Sequence, residues 1–579
     1  MLSNLFHYFV IVILAFCKYS SQASTVDSPT YTAAVVEYFP IVAGIDGKEI
    51  AEANSNNYLT IIKTASTYNV DIIVFPEFGL SSLPKDGNRE KIFNATGYRN
   101  YYRDVASYVP HPEEAVVLCN ASSKYAKSLQ KISCAARDSK LYVVVNHQEK
   151  VDCEPNSSAD CAPDGFLLYN TNIVFDREGR VVARYRKFNP FNEFGTNVTV
   201  EPEHSSFQTD FGVTFGQFIC FDLLHQKPSI YFVNNPDVKD VIFSTHWFDY
   251  PPFLEATEIQ AAWAYAADVN FLASGYSDAI TASGGSGIYG GKMGPIVTYH
   301  PMKTSNALVI GEVLKYHHRE KQVENLKKPI VYEFNHAEVP TITGIPPRVN
   351  LSQNFKDGLL LYTSELLDVE KSSVHVTTLC DRDICCDFHV ETSFDKKVAA
   401  KRDAVHYKYR IVAFNGVTTY GNMSTSGLEV CALVTCAGDS LENCGDYYDD
   451  STNVVMPTRL DSVIITRRVN LDEPVLFFPT TLLLQTYEPL GSSDFAYLTS
   501  GPSESSLMVM HLIKPQTRLA TFGIYGRRFD RDGEPLTMPS KAVELNISFM
   551  ALVGLLAVFV VVGCWGYPRK TMVIRNKAE

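Results

Sequence analysis

The chain has 579 residues and a net charge of −13, with 46% hydrophobic and 20% charged residues. This composition is typical of globular proteins with a substantial core, and the length predicts more than one domain. Because the chain is acidic and its body carries no basic block, we predict no nucleic acid partner.

Both ends of the chain carry apolar segments. Residues 1–23 are typical of a signal peptide, with a short apolar stretch before small residues at a cleavage site. Residues 549–567 are apolar and uncharged and precede basic residues, which indicates either a single membrane span or a GPI signal. The sequence therefore predicts an ectodomain that passes through the secretory pathway and is anchored at the outer face of the cell membrane.

The cysteines support export. The chain has 13, of which Cys17 and Cys564 lie in the terminal segments. Leaving Cys220 aside, the others form a group of four and a group of six: Cys119, Cys134, Cys153 and Cys161, then Cys380, Cys385, Cys386, Cys431, Cys436 and Cys444. Even groups can pair within each half in an oxidising compartment, which leaves Cys220 free.

Because the chain is expected to be exported, we also predict that it is glycosylated. The Asn-x-Ser/Thr sequence occurs at Asn94, Asn120, Asn156, Asn197, Asn350, Asn422 and Asn546.

In chain order, the hydrophobic pattern of the first half alternates between strands and helices. It predicts strands at residues 31–38, 70–75, 141–146, 172–175, 181–185, 211–221, 238–244 and 269–274. It predicts helices at residues 50–68, 112–137 and 257–267, and a glycine-rich loop at 283–291. This alternation indicates a layered α/β domain over residues 24–325.

The pattern changes after residue 325. Short β-prone runs occur at residues 374–379, 409–414, 430–434, 462–466 and 520–524, and helical periodicity is scarce. We therefore predict a second, mostly β domain over residues 326–540, which carries the group of six cysteines.

Three polar residues end three apolar strands of the first domain: Glu77, Lys187 and Cys220. A thiol must lose its proton to become a good nucleophile, and a carboxylate can take that proton. A fixed ammonium group can stabilise the oxyanion that forms when sulfur attacks an amide. The set therefore suits hydrolysis of an amide through a thioester.

The motifs that carry these residues resemble the nitrilase superfamily, and within it the biotinidase–vanin branch. They are F-P-E-F-G at 75–79, R-Y-R-K-F-N at 184–189, F-G-Q-F-I-C-F-D-L-L at 215–224 and A-A-W-A-Y-A-A-D-V-N-F-L-A-S at 261–274. With its β-rich second half, the chain looks like an insect-type vanin-like protein. The resemblance implies an αββα sandwich followed by a mostly β domain.

The resemblance also implies roles for the residues. Glu77 would be the base, Lys187 the oxyanion stabiliser and Cys220 the nucleophile, with no cofactor and no metal. Glu193 is a candidate for the second glutamate of the family. His246 and Trp247 are candidate pocket residues, as are Phe248 and the loop at 283–291.

The implied activity is hydrolysis of a linear carboxamide. Pantetheine, cleaved to pantothenate and cysteamine, is the expected substrate. A biotinidase-like hydrolysis of biotin amides remains an alternative, as does an ectodomain that serves adhesion or signalling without catalysis. The sequence leaves the oligomeric state open.

Overall fold

The structure is a computed structural model that describes residues 23–41, 47–82, 95–155, 160–319, 326–340, 356, 358–421, 423–448 and 452–537. The predictions for the signal peptide and the apolar segment at 549–567 lie outside the described residues. So do five of the seven glycosylation predictions: Asn94, Asn156, Asn350, Asn422 and Asn546. Asn120 is exposed and Asn197 is half-buried. Within the described part of the chain, no helix has the length and apolar character to cross a membrane.

The described residues of the first half form thirteen strands: β1 (Thr30–Glu37), β2 (Ile72–Val74), β3 (Tyr142–Asp152), β4 (Phe166–Phe175), β5 (Val181–Arg186), β6 (Ser206–Gln208), β7 (Thr214–Ile219), β8 (Asp240–Thr245), β9 (Asn270–Gly275), β10 (Ser286–Gly290), β11 (Pro295–Tyr299), β12 (Ala307–Leu314) and β13 (Ile330–Glu333). Its helices are α1 (Gly47–Thr67), α2 (Ala95–Val105), α3 (Lys127–Ser139), α4 (Ser229–Asn234) and α5 (Ala256–Ala267). The strands form one sheet in the order β13-β12-β1-β2-β3-β4-β5 and a second in the order β11-β10-β9-β8-β7-β6.

The two sheets pack face to face, with helices on both outer faces. Alternate side chains of β1 point to opposite sides of the first sheet, as the period of a strand requires. Val36 packs in a buried cluster with Ile62 of α1 and Leu129 of α3. Val35 instead shares a buried cluster with Leu272 of β9 in the second sheet. With α5 against the other face of the second sheet, these layers confirm the predicted αββα sandwich.

The second half is a β-sandwich, which confirms the prediction of a mostly β domain. Its strands are β14 (Thr363–Leu366), β15 (Val374–Asp381), β16 (Ile384–Phe394), β17 (Lys408–Tyr420), β18 (Ser424–Cys436), β19 (Thr458–Val469), β20 (Val475–Leu483), β21 (Phe495–Ser500), β22 (Ser506–Leu512) and β23 (Leu519–Arg528), with a short helix α6 (Lys396–Ala399). They form two sheets, in the orders β14-β17-β18-β23-β20 and β15-β16-β19-β22-β21. Buried and exposed residues alternate along β16, because one face of its sheet packs on the core and the other faces solvent.

Helix α5 joins the two halves. Trp263 packs against Phe218 of β7 on one side, and its cluster includes Phe414 and Phe478 of the sandwich on the other. The hydroxyl group of Thr480 donates a hydrogen bond of 2.6 Å to Glu258 of the same helix. The first sheet of the sandwich therefore buries both of its faces.

The cysteines pair within each half, as predicted. The disulfides are Cys119–Cys134, Cys153–Cys161, Cys380–Cys385, Cys386–Cys431 and Cys436–Cys444. Among the described cysteines, Cys220 is the free one.

The prediction of a long helix at 112–137 is wrong. That segment begins with two 3₁₀ turns, Pro112–Glu114 and Leu118–Asn120, and only Lys127–Ser139 is α-helical. Between the turns the chain pairs with the start of β5, where the N–H of Val181 donates to the carbonyl oxygen of Val116 at 3.0 Å. This tertiary pairing overrides the helical pattern of the sequence.

The prediction of a glycine-rich loop at 283–291 is wrong for most of its length. Ser286–Gly290 is strand β10, which pairs with β9 and β11. Glycine is needed here for space, because a Cβ atom at Gly287 would lie 2.3 Å from the hydroxyl group of Tyr289. The first sheet also continues past the boundary predicted at residue 325, because β13 pairs with β12.

We predict that replacing Trp263 with alanine lowers the free energy of unfolding by about 3–5 kcal/mol, because the indole is fully buried between the two halves. Urea denaturation with the disulfides intact measures this change. Trp263→Phe is the matched control, since it keeps an aromatic ring against Phe218 and should cost much less. A loss below about 1 kcal/mol in Trp263→Ala would contradict the packing described for α5.

Candidate active site

The three residues singled out at strand ends line one cavity. Glu77 lies just beyond β2, Lys187 follows β5 and Cys220 follows β7. All three line a cavity of about 150 Å³. Since β2 and β5 belong to the first sheet and β7 to the second, the cavity lies where the ends of the two sheets meet.

Cys220 sits in a strained turn at the end of β7. Its φ is +49°, in the left-handed region that is costly for a residue with a side chain. The carboxylate of Asp222 holds this turn, because it accepts hydrogen bonds from the N–H of Ile219 at 3.1 Å and from the hydroxyl group of Tyr185 at 2.7 Å. The strand-to-turn geometry aims the cysteine at the rim of the sheet.

Asp222 also fixes the segment that follows Lys187. Its second carboxylate oxygen accepts hydrogen bonds of 2.8 Å from both the backbone and the side-chain nitrogen of Asn189. Burial raises the pKa of Asp222 to about 6. The carboxylate thus couples the Cys220 turn to the Lys187 segment through four hydrogen bonds.

Glu77 is 1% exposed and uses both of its carboxylate oxygens. Oε1 accepts hydrogen bonds of 2.7 Å from Nζ of Lys187 and from the side-chain amide of Asn170. Oε2 accepts a hydrogen bond of 2.9 Å from the N–H of His246, which follows β8 of the second sheet. The carboxylate therefore bridges the two sheets in one fixed orientation.

Lys187 lies between two carboxylates. Its ammonium group donates to Glu77 and to Glu193, and both ion pairs are almost fully buried. Burial alone would lower the pKa of Lys187, but the carboxylates of Glu193 and Glu77 raise it well above its ordinary value. The lysine is therefore charged at neutral pH, as an electrostatic role requires.

Asn170 of β4 orients both carboxylates. Its Nδ2 donates to Glu77 at 2.7 Å and to Oε2 of Glu193 at 2.9 Å. Its own oxygen accepts a hydrogen bond of 2.6 Å from Asn146 of β3. Burial raises the pKa of Glu193, and the Lys187 ammonium opposes that rise.

The Cys220 thiol is buried beside these groups. Sγ donates to the carbonyl oxygen of His246 at 3.5 Å. Burial raises the pKa of the thiol, the Glu77 carboxylate raises it further, and Lys187 lowers it. At neutral pH the sulfur is therefore protonated, and a nearby base is needed to activate it.

A second, apolar cavity of about 40 Å³ also borders Cys220. The candidate pocket residues His246, Trp247 and Phe248 line it, and so does Tyr420 from β17 of the sandwich. The Trp247 indole donates a hydrogen bond of 2.8 Å to the carbonyl oxygen of Leu254. The prediction that residues 283–291 line this pocket is wrong, because none of them lines either cavity.

Sequence reasoning missed three features of this site. Asn170 was hidden in a strand, although a buried asparagine in an apolar run is itself a signal. Asp222 was visible as a break after the cysteine strand, but its partners are distant in sequence. Tyr98 and Tyr102 of α2, which line the polar cavity, carry no motif.

A group with metal-ligand side chains lies elsewhere in the described part of the chain. Ligand atoms of Asp249, Glu255 and His300 lie within 4.8 Å of one another, and all three residues are buried or nearly so. Nε2 of His300 already lies 3.2 Å from Oδ2 of Asp249, which is hydrogen-bond geometry. These residues line neither of the cavities beside Cys220.

The sequence matches two protein families. The carbon–nitrogen hydrolase family matches residues 32–249, and the vanin C-terminal domain matches residues 353–532. Vanin-like protein 1 of Drosophila melanogaster is 32% identical over 89% of this chain and 88% of its own length. The chain belongs to the vanin family of carbon–nitrogen hydrolases. The predicted family is thus confirmed.

The chain is also similar to a pantetheinase and, more distantly, to a solved structure. A pantetheinase of Bos taurus is 30% identical to this vanin-family chain over 94% of this chain and 98% of its own length. Among solved structures, Saccharomyces cerevisiae Nit3, a member of branch 10 of the nitrilase superfamily, is 17% identical over 52% of this chain and 98% of its own, with a TM-score of 0.38. As predicted, the vanin-family chain is a hydrolase of carbon–nitrogen bonds other than peptide bonds.

We predict that Cys220 is the main site of alkylation in the native, unreduced protein, because the other described cysteines are paired. Iodoacetamide treatment followed by peptide mapping measures this. The Cys220→Ser variant should lose the label, which controls for reaction elsewhere. Native labelling of any of the ten disulfide cysteines, with Cys220 unmodified, would contradict the pairing.

Proposed function

We propose that the protein hydrolyses a linear amide through a thioester on Cys220, with Glu77 as base and Lys187 as oxyanion stabiliser. The observation that carries this proposal is the shared cavity in which a free thiol lies beside a buried, hydrogen-bonded Glu77–Lys187 pair. Isolated buried charges are costly. A purely structural role would not explain why this ion pair and the free cysteine line the same cavity.

In the first step, Glu77 takes the proton from Sγ of Cys220 as sulfur attacks the carbonyl carbon. The carbonyl oxygen becomes an oxyanion, which the Lys187 ammonium stabilises. When the tetrahedral intermediate collapses, the carbon–nitrogen bond breaks and Glu77 returns the proton to the leaving amine. The acyl group remains on sulfur as a thioester.

In the second step, the oxygen of a water molecule attacks the thioester carbon while Glu77 takes a proton from that water. Lys187 again stabilises the oxyanion. When the tetrahedral intermediate collapses, the carbon–sulfur bond breaks, the acid is released and Glu77 returns its proton to the thiolate of Cys220. Both steps need Glu77 in one fixed orientation, and the hydrogen bonds from Asn170 and from the N–H of His246 provide it. Glu193 would hold the Lys187 ammonium from its other side.

Pantetheine is the substrate that we propose. Relatives that carry the name pantetheinase are about 30% identical over most of this chain. Cys220 lines both a cavity with polar and charged side chains and an apolar one. The hydroxyl and amide groups of a pantothenoyl arm suit the polar side, whose lining includes Asn192, Tyr98 and Tyr102. The small cysteamine group suits the narrow apolar side.

The location that we propose follows from the two chain ends and from the cysteines. Five disulfides among the described residues suit an oxidising compartment. The apolar segment at 549–567 would anchor the enzyme to the outer face of the membrane, where extracellular amides reach it.

We predict that Glu77→Gln and Lys187→Met each reduce kcat by at least about a hundredfold, because they remove the base and the oxyanion stabiliser. Steady-state kinetics on the purified protein measures this, with circular dichroism to confirm folding. Glu201→Gln is the matched control, since Glu201 is exposed and pairs with the exposed Lys227.

Lys187→Met also leaves two buried carboxylates close together, which can cost about 3–5 kcal/mol of stability. If that variant does not fold, Glu77→Gln decides the question alone. Near-normal turnover by folded Glu77→Gln would show that another group is the base.

The second prediction concerns the substrate. We expect a larger kcat/KM for pantetheine than for biocytin, because a biotin ring would leave its buried ureido group without dedicated partners, at about 1–3 kcal/mol for each unpaired group. Both amides are assayed on one preparation. A larger value for biocytin would reverse the assignment. Turnover of neither by folded protein with a free Cys220 would reject the pantetheine proposal.

A further inference from the structure

A third cavity, separate from the active site, has four lysines in its lining. It measures about 320 Å³, and its lining includes Lys48, Lys124, Lys127 and Lys150. Glu52 is the carboxylate among its lining residues. This excess of positive charge stands out in a chain with a net charge of −13. We call this space, defined by the four lysines and Ser128, the basic cavity.

The N-terminus of helix α3 opens onto the basic cavity. The helix has 13 residues, and Ala126 at its N-cap provides no side-chain hydrogen bond. Ala126, Lys127 and Ser128 all line the cavity. The first N–H groups of a helix have no partner within the helix and carry a partial positive charge. Oxyanions such as phosphate bind at such termini.

Ser128 is a second, independent indication that this cavity binds a ligand. It is 1% exposed and lines the cavity. Within the described part of the chain, its buried hydroxyl oxygen has no hydrogen-bond partner. A buried hydroxyl group without a partner costs about 1–3 kcal/mol, so proteins rarely retain one unless something else satisfies it.

The lysines are held around the cavity rather than scattered. The ammonium groups of Lys124 and Lys150 lie 5.3 Å and 5.1 Å from the centre of the Tyr108 ring. Burial lowers the pKa of Lys150 and the positive charge of Lys48 lowers it further, while the carboxylates of Asp152 and Asp104 oppose this shift. An anion between these groups would relieve that repulsion.

Glu52 does not neutralise the cavity. Its carboxylate lies 3.9 Å from Nζ of Lys127 and 3.8 Å from Nζ of Lys131. It therefore sits beside one lining lysine and one lysine outside the lining. Lys124 and Lys150 remain available to a ligand across the cavity.

We propose that the basic cavity binds a tetrahedral oxyanion, either a phosphate or a sulfate group. The ligand would accept hydrogen bonds from the first N–H groups of α3 and from Ser128, and ion-pair with Lys124 and Lys150. Amide hydrolysis needs no such group, so this site goes beyond the proposed function and stands or falls independently of it.

Helix α2 lies between the two sites. Tyr98 and Tyr102 of α2 line the active-site cavity. Val105 at its end, and Ala106 and Ser107 after it, line the basic cavity. An anion bound there would contact the end of the helix that borders the active site.

The test is isothermal titration calorimetry on the purified, disulfide-bonded full chain at constant ionic strength. Inorganic phosphate, inorganic sulfate and glycerol 3-phosphate are titrated separately. We expect saturable binding of one equivalent of at least one of them. If glycerol 3-phosphate binds most tightly, the site is assigned to a phosphate ester. If inorganic phosphate or inorganic sulfate binds most tightly, the site is assigned to that free ion.

Two variants and a matched control examine the site itself. Lys150→Gln and Ser128→Ala should each weaken binding by about tenfold or more, as expected for loss of a hydrogen bond to a charged group. Lys131→Gln also removes one positive charge, from helix α3 but outside the cavity lining, and should change the affinity less than about twofold. Equal weakening by Lys131→Gln, or no saturable binding of any of the three anions, would overturn the proposal.

Thermal unfolding separates a ligand role of Ser128 from a structural one. Because its hydroxyl group has no partner, Ser128→Ala should unfold at the same or a higher temperature than the parent protein without anion. Added phosphate should raise the unfolding temperature of the parent more than that of the variant. A lower unfolding temperature of Ser128→Ala without anion, with an unchanged response to phosphate, would show that the residue is structural only.

Discussion

The candidate active site depends on one buried carboxylate. Glu77 accepts hydrogen bonds from Lys187 and Asn170, which belong to the first sheet, and from the N–H of His246, which follows a strand of the second sheet. A buried charge is tolerated only when such partners compensate it. The layers must therefore pack in this register for the carboxylate to be satisfied, and the same register brings Cys220 into the cavity.

The second domain completes this arrangement rather than merely extending the chain. Helix α5 lies between the second sheet and the sandwich, and the sandwich contributes Tyr420 to the apolar side of the cavity. Arg527, which is fully buried, donates a hydrogen bond of 2.8 Å to the carbonyl oxygen of Leu224, at the end of the Cys220 turn. The surroundings of the cysteine are thus set by both halves of the vanin-family chain.

The sequence predicted the parts of the fold whose pattern is local. Apolar strands that end in Glu77, Lys187 and Cys220 were visible because strand periodicity and a terminal polar residue need no distant partner. The segment at 112–137 was misread because Val116 pairs with Val181 of β5, and no local pattern encodes that contact. The strand at Ser286–Gly290 was misread because glycine weakens strand signals, while here it makes room for Tyr289.

The sequence pattern indicated several residues of the site, but it did not indicate how the residues around them hold the site together. Asp222 and Asn170 act through partners that lie up to 93 residues away, so their function emerges only when the strands are assembled. That ten cysteines pair within two groups of four and six could be predicted, because an even number of cysteines in each half is read directly from the sequence. Which cysteine joins which depends on the sheets.

The proposed mechanism requires Cys220 to carry the acyl group as a thioester. The direct measurement is acid quenching within one turnover of pantetheine, followed by intact mass determination and peptide mapping. The account predicts a pantothenoyl adduct on the peptide that contains Cys220, which disappears as hydrolysis is completed and is absent from Cys220→Ser. Formation of product with no covalent intermediate under conditions that trap thioesters, or an adduct on another residue, would contradict it.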